Sequence, residues 1–186
     1  MNLKTETITK NSPSLPAIRS LYESAFPPNE KAPLAILLHK ARKDFVDFLA
    51  FYDGDVQAGF AYLVAERDLV FLMYLAVEPS LRSKGYGSRI LRELRQLYPG
   101  SRIVLNIEAQ EPGASNAAER RRRKAFYVRN GYSGSGLLVK EFGVLYEALV
   151  QGGSVGREEF LRLYDRFMGF PFSLLTRPKI YPYTDQ

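Results

Sequence analysis

The stretch "LVFLMYLAVEPSLRSKGYGSRILREL", residues 69–94, decides how this 186-residue chain is read. Its first nine residues are apolar with no polar alternation, which predicts a strand buried on both faces near the middle of a sheet. Glu78-Pro79 bounds that strand. Further on, Ile90, Leu91, Leu94 and Leu97 mark one face of a helix, which "YPG" at 98–100 stops. Between strand and helix lie Arg82, Lys84, Gly85 and Gly87. Glycine at the front of a helix is costly unless a backbone must come close to something. The first helical turn has unpaired N–H groups and a partial positive charge. Glycines there, flanked by cations, form a cradle for phosphate.

The segments that follow extend this unit. "RIVLNIEA" at 102–109 reads as a strand with Ile103, Leu105 and Ile107 on one face and Val104, Asn106 and Glu108 on the other. Residues 69–109 are therefore a strand–helix–strand unit, expected to be right-handed with parallel strands. "NAAERRRRKAFYVRNGY" at 116–132 is the next helix. Asn116 is suited to cap it, Glu119 to complete a capping box, and Gly131 to make a left-handed stop.

Upstream, "KTETIT" reads as a strand and "SLPAIRSLYESAF" and "APLAILLHKARK" as helices split by "PPNEKAP". "FVDFLAFYDGDVQAGFAYLVAE" is a hairpin about "DGD". Its aromatics, Phe45, Phe48, Phe51, Tyr52, Phe60 and Tyr62, are expected in the core and on sheet faces. Downstream, "GLLVKEFGVLYEAL" gives two short strands about "EFG", and "REEFLRLYDRFMG" a last helix before a Pro-rich tail. A single domain over residues 1–186 is expected, with 157–186 the appended helix and tail.

The composition, 46% hydrophobic and 25% charged, is that of a soluble globular protein. Without cysteine there is no disulfide, thiolate metal site or cysteine nucleophile. The longest apolar run is too short to span a bilayer, and "MNLKTETITKN" lacks the apolar stretch of a secretory signal. A cytoplasmic protein with no membrane partner is expected. The net charge of +6 is local. Residues 82–96 hold five Arg and Lys against one Glu, residues 116–129 hold six against one, and the remainder is net acidic. A small polyanion between these segments would explain the pattern, and so would nucleic acid.

The pattern R-x-x-G-x-G at 82–87 is neither a P-loop nor G-x-G-x-x-G. With "LAVEPSL" before it and "AFYVRNGY" some forty residues on, it resembles the pyrophosphate signature of the GNAT superfamily of N-acetyltransferases. Tyr127, Gly131 and Tyr132 match a second element of that family. The resemblance spans roughly residues 3–150. It implies an α/β (mixed α+β) fold, with a mixed central sheet of about six to seven strands flanked by helices and splayed parallel strands at the cofactor site.

The resemblance also implies acetyl-coenzyme A as cosubstrate, no metal, and direct transfer to a primary amine, on a small molecule or a peptide. The pantetheine arm would run along the backbone of Leu75, Ala76 and Val77. The diphosphate would sit on the amides of Ser83, Lys84, Gly85, Tyr86, Gly87 and Ser88, with Arg82 and Lys84 adding positive charge. Tyr127 would be the acid for the leaving thiolate, or else a core residue beside Phe126. Glu108 would be the base for the amine, or else a carboxylate capping "AQEPGASN"; Glu78 and Glu111 are weaker candidates. Where many members carry an asparagine seven residues before the tyrosine, this chain has Arg120, so that role is not carried over. One of the arginines 120–123 would instead reach the 3′-phosphate. His39, the only histidine, is expected to be solvated or packed. The rival reading is a non-catalytic coenzyme A-binding or RNA-binding module using segments 82–96 and 116–129. No specific nucleic-acid partner is expected.

Overall fold

The structure is a computed structural model, which describes residues 2–111, 113–169, 173 and 176–183. The strands are β1 (Lys4–Thr7), β2 (Val46–Asp53), β3 (Val56–Glu66), β4 (Leu69–Val77), β5 (Arg102–Glu108), β6 (Ser133–Glu141), β7 (Val144–Gln151) and β8 (Lys179–Pro182). The helices are α1 (Leu15–Ala25), α2 (Leu34–Lys40), α3 (Tyr86–Leu97), α4 (Ala117–Arg129) and α5 (Arg157–Met168). The strands make one mixed sheet in the order β1-β2-β3-β4-β5-β7-β6-β8. The parallel pair is β4–β5, with Leu69, Val70 and Phe71 opposite Arg102, Ile103 and Val104.

The expected mixed α/β fold is therefore present, with eight strands rather than six or seven. The additional strand, β8, comes from the Pro-rich tail and pairs antiparallel with β6. A short run such as "KIYP" has no period long enough to be read as a strand. The rest of that tail, 170–172, 174–175 and 184–186, lies outside the described residues.

The chain groups into two compact units, residues 1–64 with 72–99, and residues 65–71 with 100–186. In the first, Phe48, Phe51, Phe60 and Tyr62 are fully buried. Their rings meet edge-on, Phe48 against Tyr62 at 5.4 Å and Tyr22 against Tyr74 at 5.1 Å. Such pairs add about 0.5–1.5 kcal/mol beyond area burial. Their polar tips hold the segment between α1 and α2. Tyr74 Oη donates to Glu30 O at 2.9 Å and accepts from the Ala32 N–H at 3.0 Å, and Tyr22 Oη donates to Ala32 O.

β4 departs from the expectation of burial on both faces. Val70, Leu72, Tyr74 and Ala76 are buried, whereas Phe71, Met73, Leu75 and Val77 are half-exposed. The run is apolar on both faces, yet only one of them is fully packed.

In the second unit, β5 alternates as expected in Ile103, Leu105 and Ile107, and β7 lies antiparallel beside it. Arg102, at the start of β5, pairs with Asp68 at 3.0 Å and with Glu159 of α5 at 2.8 Å. Phe71 stacks edge-on against Phe160 at 5.6 Å.

Candidate active site

The residues singled out from sequence fall in both units. In the first unit, β4 ends at Val77 and a 3₁₀ turn, Pro79–Leu81, leads to the loop. Arg82 folds back, its Nε donating to Val77 O at 3.2 Å. Ser83 then takes φ +61° and Gly85 φ +84°. Left-handed residues at 83 and 85 with Lys84 between them are the alternation from which anion-binding concavities of backbone N–H groups are built. A Cβ added at Gly85 would meet nothing within 4 Å, so that side of the loop is open. Gly85 is also the N-cap of α3, and no side chain caps the helix. Its first-turn amides keep their positive end for a ligand.

Arg82, Ser83, Lys84 and Gly85 are exposed, and Tyr86, Gly87 and Ser88 half-exposed. Tyr86 points its hydroxyl to Asp53 at 2.8 Å, and Arg89 holds the same carboxylate at 2.7 and 3.0 Å. Asp53 is thereby held down to about 2, first by the Arg89 bonds and then by the Tyr86 bond. Arg89 is thus committed inside the protein.

In the second unit, Glu108 is engaged on both oxygens. Asn116 Nδ2 lies at 3.1 and 3.2 Å, Arg120 Nη2 at 3.0 Å from Oε1 and Arg123 Nη1 at 3.1 Å from Oε2. Arg120 is the hub of this cluster. It also donates to Asn116 Oδ1 at 2.8 Å and Ala109 O at 2.7 Å, and meets Glu111 at 3.3 Å.

Asn116 occupies the N-cap position of α4, but its side chain makes no cap. The expected capping box is absent, because Asn116 turns to Glu108 and Arg120, and Glu119 pairs with Arg123 at 3.3 Å. Gly131 takes φ +85°, the expected left-handed stop.

Tyr127 lies one turn beyond Arg123, half-buried, with its ring 5.0 Å from Phe126 and 5.5 Å from Tyr132. Burial pushes its hydroxyl up to about 12, against the pull of Arg123. Among the described residues, that hydroxyl makes no hydrogen bond.

Sequence reasoning missed the partners. Glu147 of β7 is buried and paired with Lys124 at 2.9 Å. Positions 116, 120, 123, 124 and 127 share one helix face by the i, i+3, i+4 rule, which is the signal that was available. Asn106, on the Glu108 face of β5, keeps a buried side-chain oxygen with no hydrogen-bond partner among the described residues. His39 is exposed. Among the described residues, no group of three His, Cys, Asp or Glu could hold a metal ion.

Residues 44–134, which run from β2 through the loop and α4, match the family model of the acetyltransferase (GNAT) domain. By that match, residues 44–134 are a GNAT acetyltransferase domain. Solved structures share the GNAT fold. A GNAT-family protein from Bacteroides thetaiotaomicron aligns with a TM-score of 0.73 and 21% identity, over 91% of this chain and 98% of that one. The ribosomal-protein-S18-alanine N-acetyltransferase of Escherichia coli aligns at 0.61 and 18%, over 84% and 97%. An aminoglycoside 6′-N-acetyltransferase complexed with coenzyme A aligns at 0.63 and 19%, over 80% and 96%. No curated protein matches the sequence. The GNAT domain includes Arg82, Gly85, Gly87, Glu108 and Tyr127.

Proposed function

We propose that this GNAT domain is an N-acetyltransferase that moves an acetyl group from acetyl-coenzyme A directly to a primary amine. The observation that carries the reading is the uncapped start of α3 behind a loop with left-handed residues at 83 and 85. Amides of residues 83–88 hold the diphosphate, and the backbone of Leu75, Ala76 and Val77 pairs with the amide-bearing arm. A relative of the same fold solved with coenzyme A supports the choice of ligand. Arg120 and Arg123 are occupied by Glu108, so Arg121 and Arg122, both exposed, are the arginines left to meet a further phosphate.

In the reaction, the amine nitrogen attacks the thioester carbonyl carbon, a C–N bond forms and the C–S bond breaks. The amine first loses a proton, against a pKa of about 10.4 for a lysine-like acceptor. A backbone N–H near the end of β4 faces the oxyanion. Tyr127 gives its phenolic proton to the departing thiolate and is reprotonated, directly or through solvent, by the proton the nitrogen sheds as the amide forms. A base must present a lone pair to the amine, and both oxygens of Glu108 already face donors. In this reading Glu108 acts as base only if Asn116 or an arginine releases it; otherwise it organises the arginines.

The rival binding-module reading loses support from the pairing of Arg89, Arg120, Arg123 and Lys124 with carboxylates inside the protein. The test incubates the protein and acetyl-coenzyme A with a panel of small amines, aminoglycosides and peptides, and detects acetylated product by mass. Free thiol released in step with an acetylated amine supports the reading. Tight coenzyme A binding with no transfer to any acceptor favours the binding module.

A further inference from the structure

We propose that residues 57–59 of β3 position the cofactor loop, so that Gly59 and Gln57 govern coenzyme A affinity without touching the ligand. The inference rests on the function proposed above. Three features, all in the first unit, converge on the last residues of β4. In the β2–β3 ladder Phe51 faces Gly59 and Tyr52 faces Gln57, which leaves Ala58 as one extra residue. An extra residue of this kind bends a strand and re-aims its backbone. Here the Ala58 carbonyl accepts the Glu78 N–H at 3.0 Å. Gln57 Nε2 donates to Glu78 Oε1 at 3.2 Å.

Gly59 supplies the third feature. A Cβ there would lie 2.2 Å from the Ala76 carbonyl oxygen and 3.1 Å from Val77 Cα. Both are backbone atoms, which cannot swing aside as a side chain can. Glycine is thus required at 59 by space, because β3 and β4 close on each other at that point.

From there the placement is handed on. Val77 O takes Arg82 Nε at 3.2 Å, Glu78 O takes the Leu81 N–H at 2.9 Å, and Pro79 O takes the Arg82 N–H at 3.3 Å. A shift at Ala76–Val77 therefore displaces both the backbone offered to the pantetheine arm and the loop that leads to Gly85. Hydrogen bonds weaken steeply with angle, so a small shift is felt in affinity.

The test is calorimetric titration of the full chain with coenzyme A. Gln57→Leu should raise Kd about threefold to tenfold, a change of the size of one net hydrogen bond, with a fall in Tm smaller than that of the buried control below. Gln57→Glu, which sets a like charge against Glu78, should do at least as much. Gly59→Ala should weaken binding more than either. That variant can fail to fold, so the two Gln57 variants carry the test without it. Leu63→Ala, a buried control on the same strand, should lower Tm and leave Kd unchanged. A wild-type chain that does not bind coenzyme A sinks the proposed function itself. A wild type that binds, with both Gln57 variants within twofold of it or with Leu63→Ala weakened equally, overturns this inference alone.

Discussion

Tyr127 combines a half-buried ring, a hydroxyl with no hydrogen bond among the described residues and a pKa pushed up to about 12. It therefore remains a proton donor throughout the working range of an enzyme. As the acid for the leaving thiolate, it makes Tyr127→Phe a variant whose kcat falls by about 10²–10⁴-fold at near-constant coenzyme A affinity. Steady-state rates with a parallel binding titration check this, and full activity would return the residue to core packing. Glu108→Gln separates the two roles open to Glu108. A base leaves a defect that shrinks as pH rises toward the amine's own pKa, whereas an organiser of Arg120 and Arg123 leaves one parallel to wild type at every pH.

Asp53 makes a different prediction. Its folded-state value of about 2 lies below its ordinary 3.8, so its stabilising effect is complete above the ordinary value and lost as pH falls through 2. Asp53→Asn should flatten the acid limb of stability against pH, as read by urea unfolding between pH 2 and 5.

At the scale of elements, the loop from β5 to α4 is held by one guanidinium. Arg120 reaches Glu108, Glu111, Asn116 and the Ala109 carbonyl. Replacing it by Met leaves a largely buried carboxylate short of a donor, at a cost of about 3 kcal/mol. For a chain of this length that is a fall in Tm of roughly 10 °C by thermal melt. The helix itself was legible, since its apolar spacing, the glycine stop and the run of cations all lie within one segment. That its N-cap side chain serves Glu108 was not, because a cap and an ion-pair partner are the same residue type in sequence. β4 was likewise legible as a strand, but nine apolar residues cannot say which face is left half-open.

At the scale of the molecule, cofactor binding adds to native stability by mass action. Coenzyme A at a hundredfold excess over Kd should stabilise the fold by about 2.7 kcal/mol, seen as a rise in Tm. Internal pairing of several cations also predicts weak nucleic-acid binding that salt readily abolishes. Tight binding at physiological salt, with a slope tracking several phosphates, would contradict it. Among the described residues, no helix is long and apolar enough to cross a membrane.

The sequence by itself determined the family resemblance, the parallel strand–helix–strand unit and the glycine loop, because each is written in neighbouring residues. Local spacing sets local backbone, and a motif that works through backbone amides is visible as glycines. Only the tertiary structure decided that Glu108 is engaged by Arg120 and Arg123, that Lys124 finds Glu147, and that Gly59 makes room for Ala76. These contacts join residues 12 to 23 positions apart, across turns whose geometry no periodicity records. Tertiary packing brings them together, and it depends on the whole chain at once.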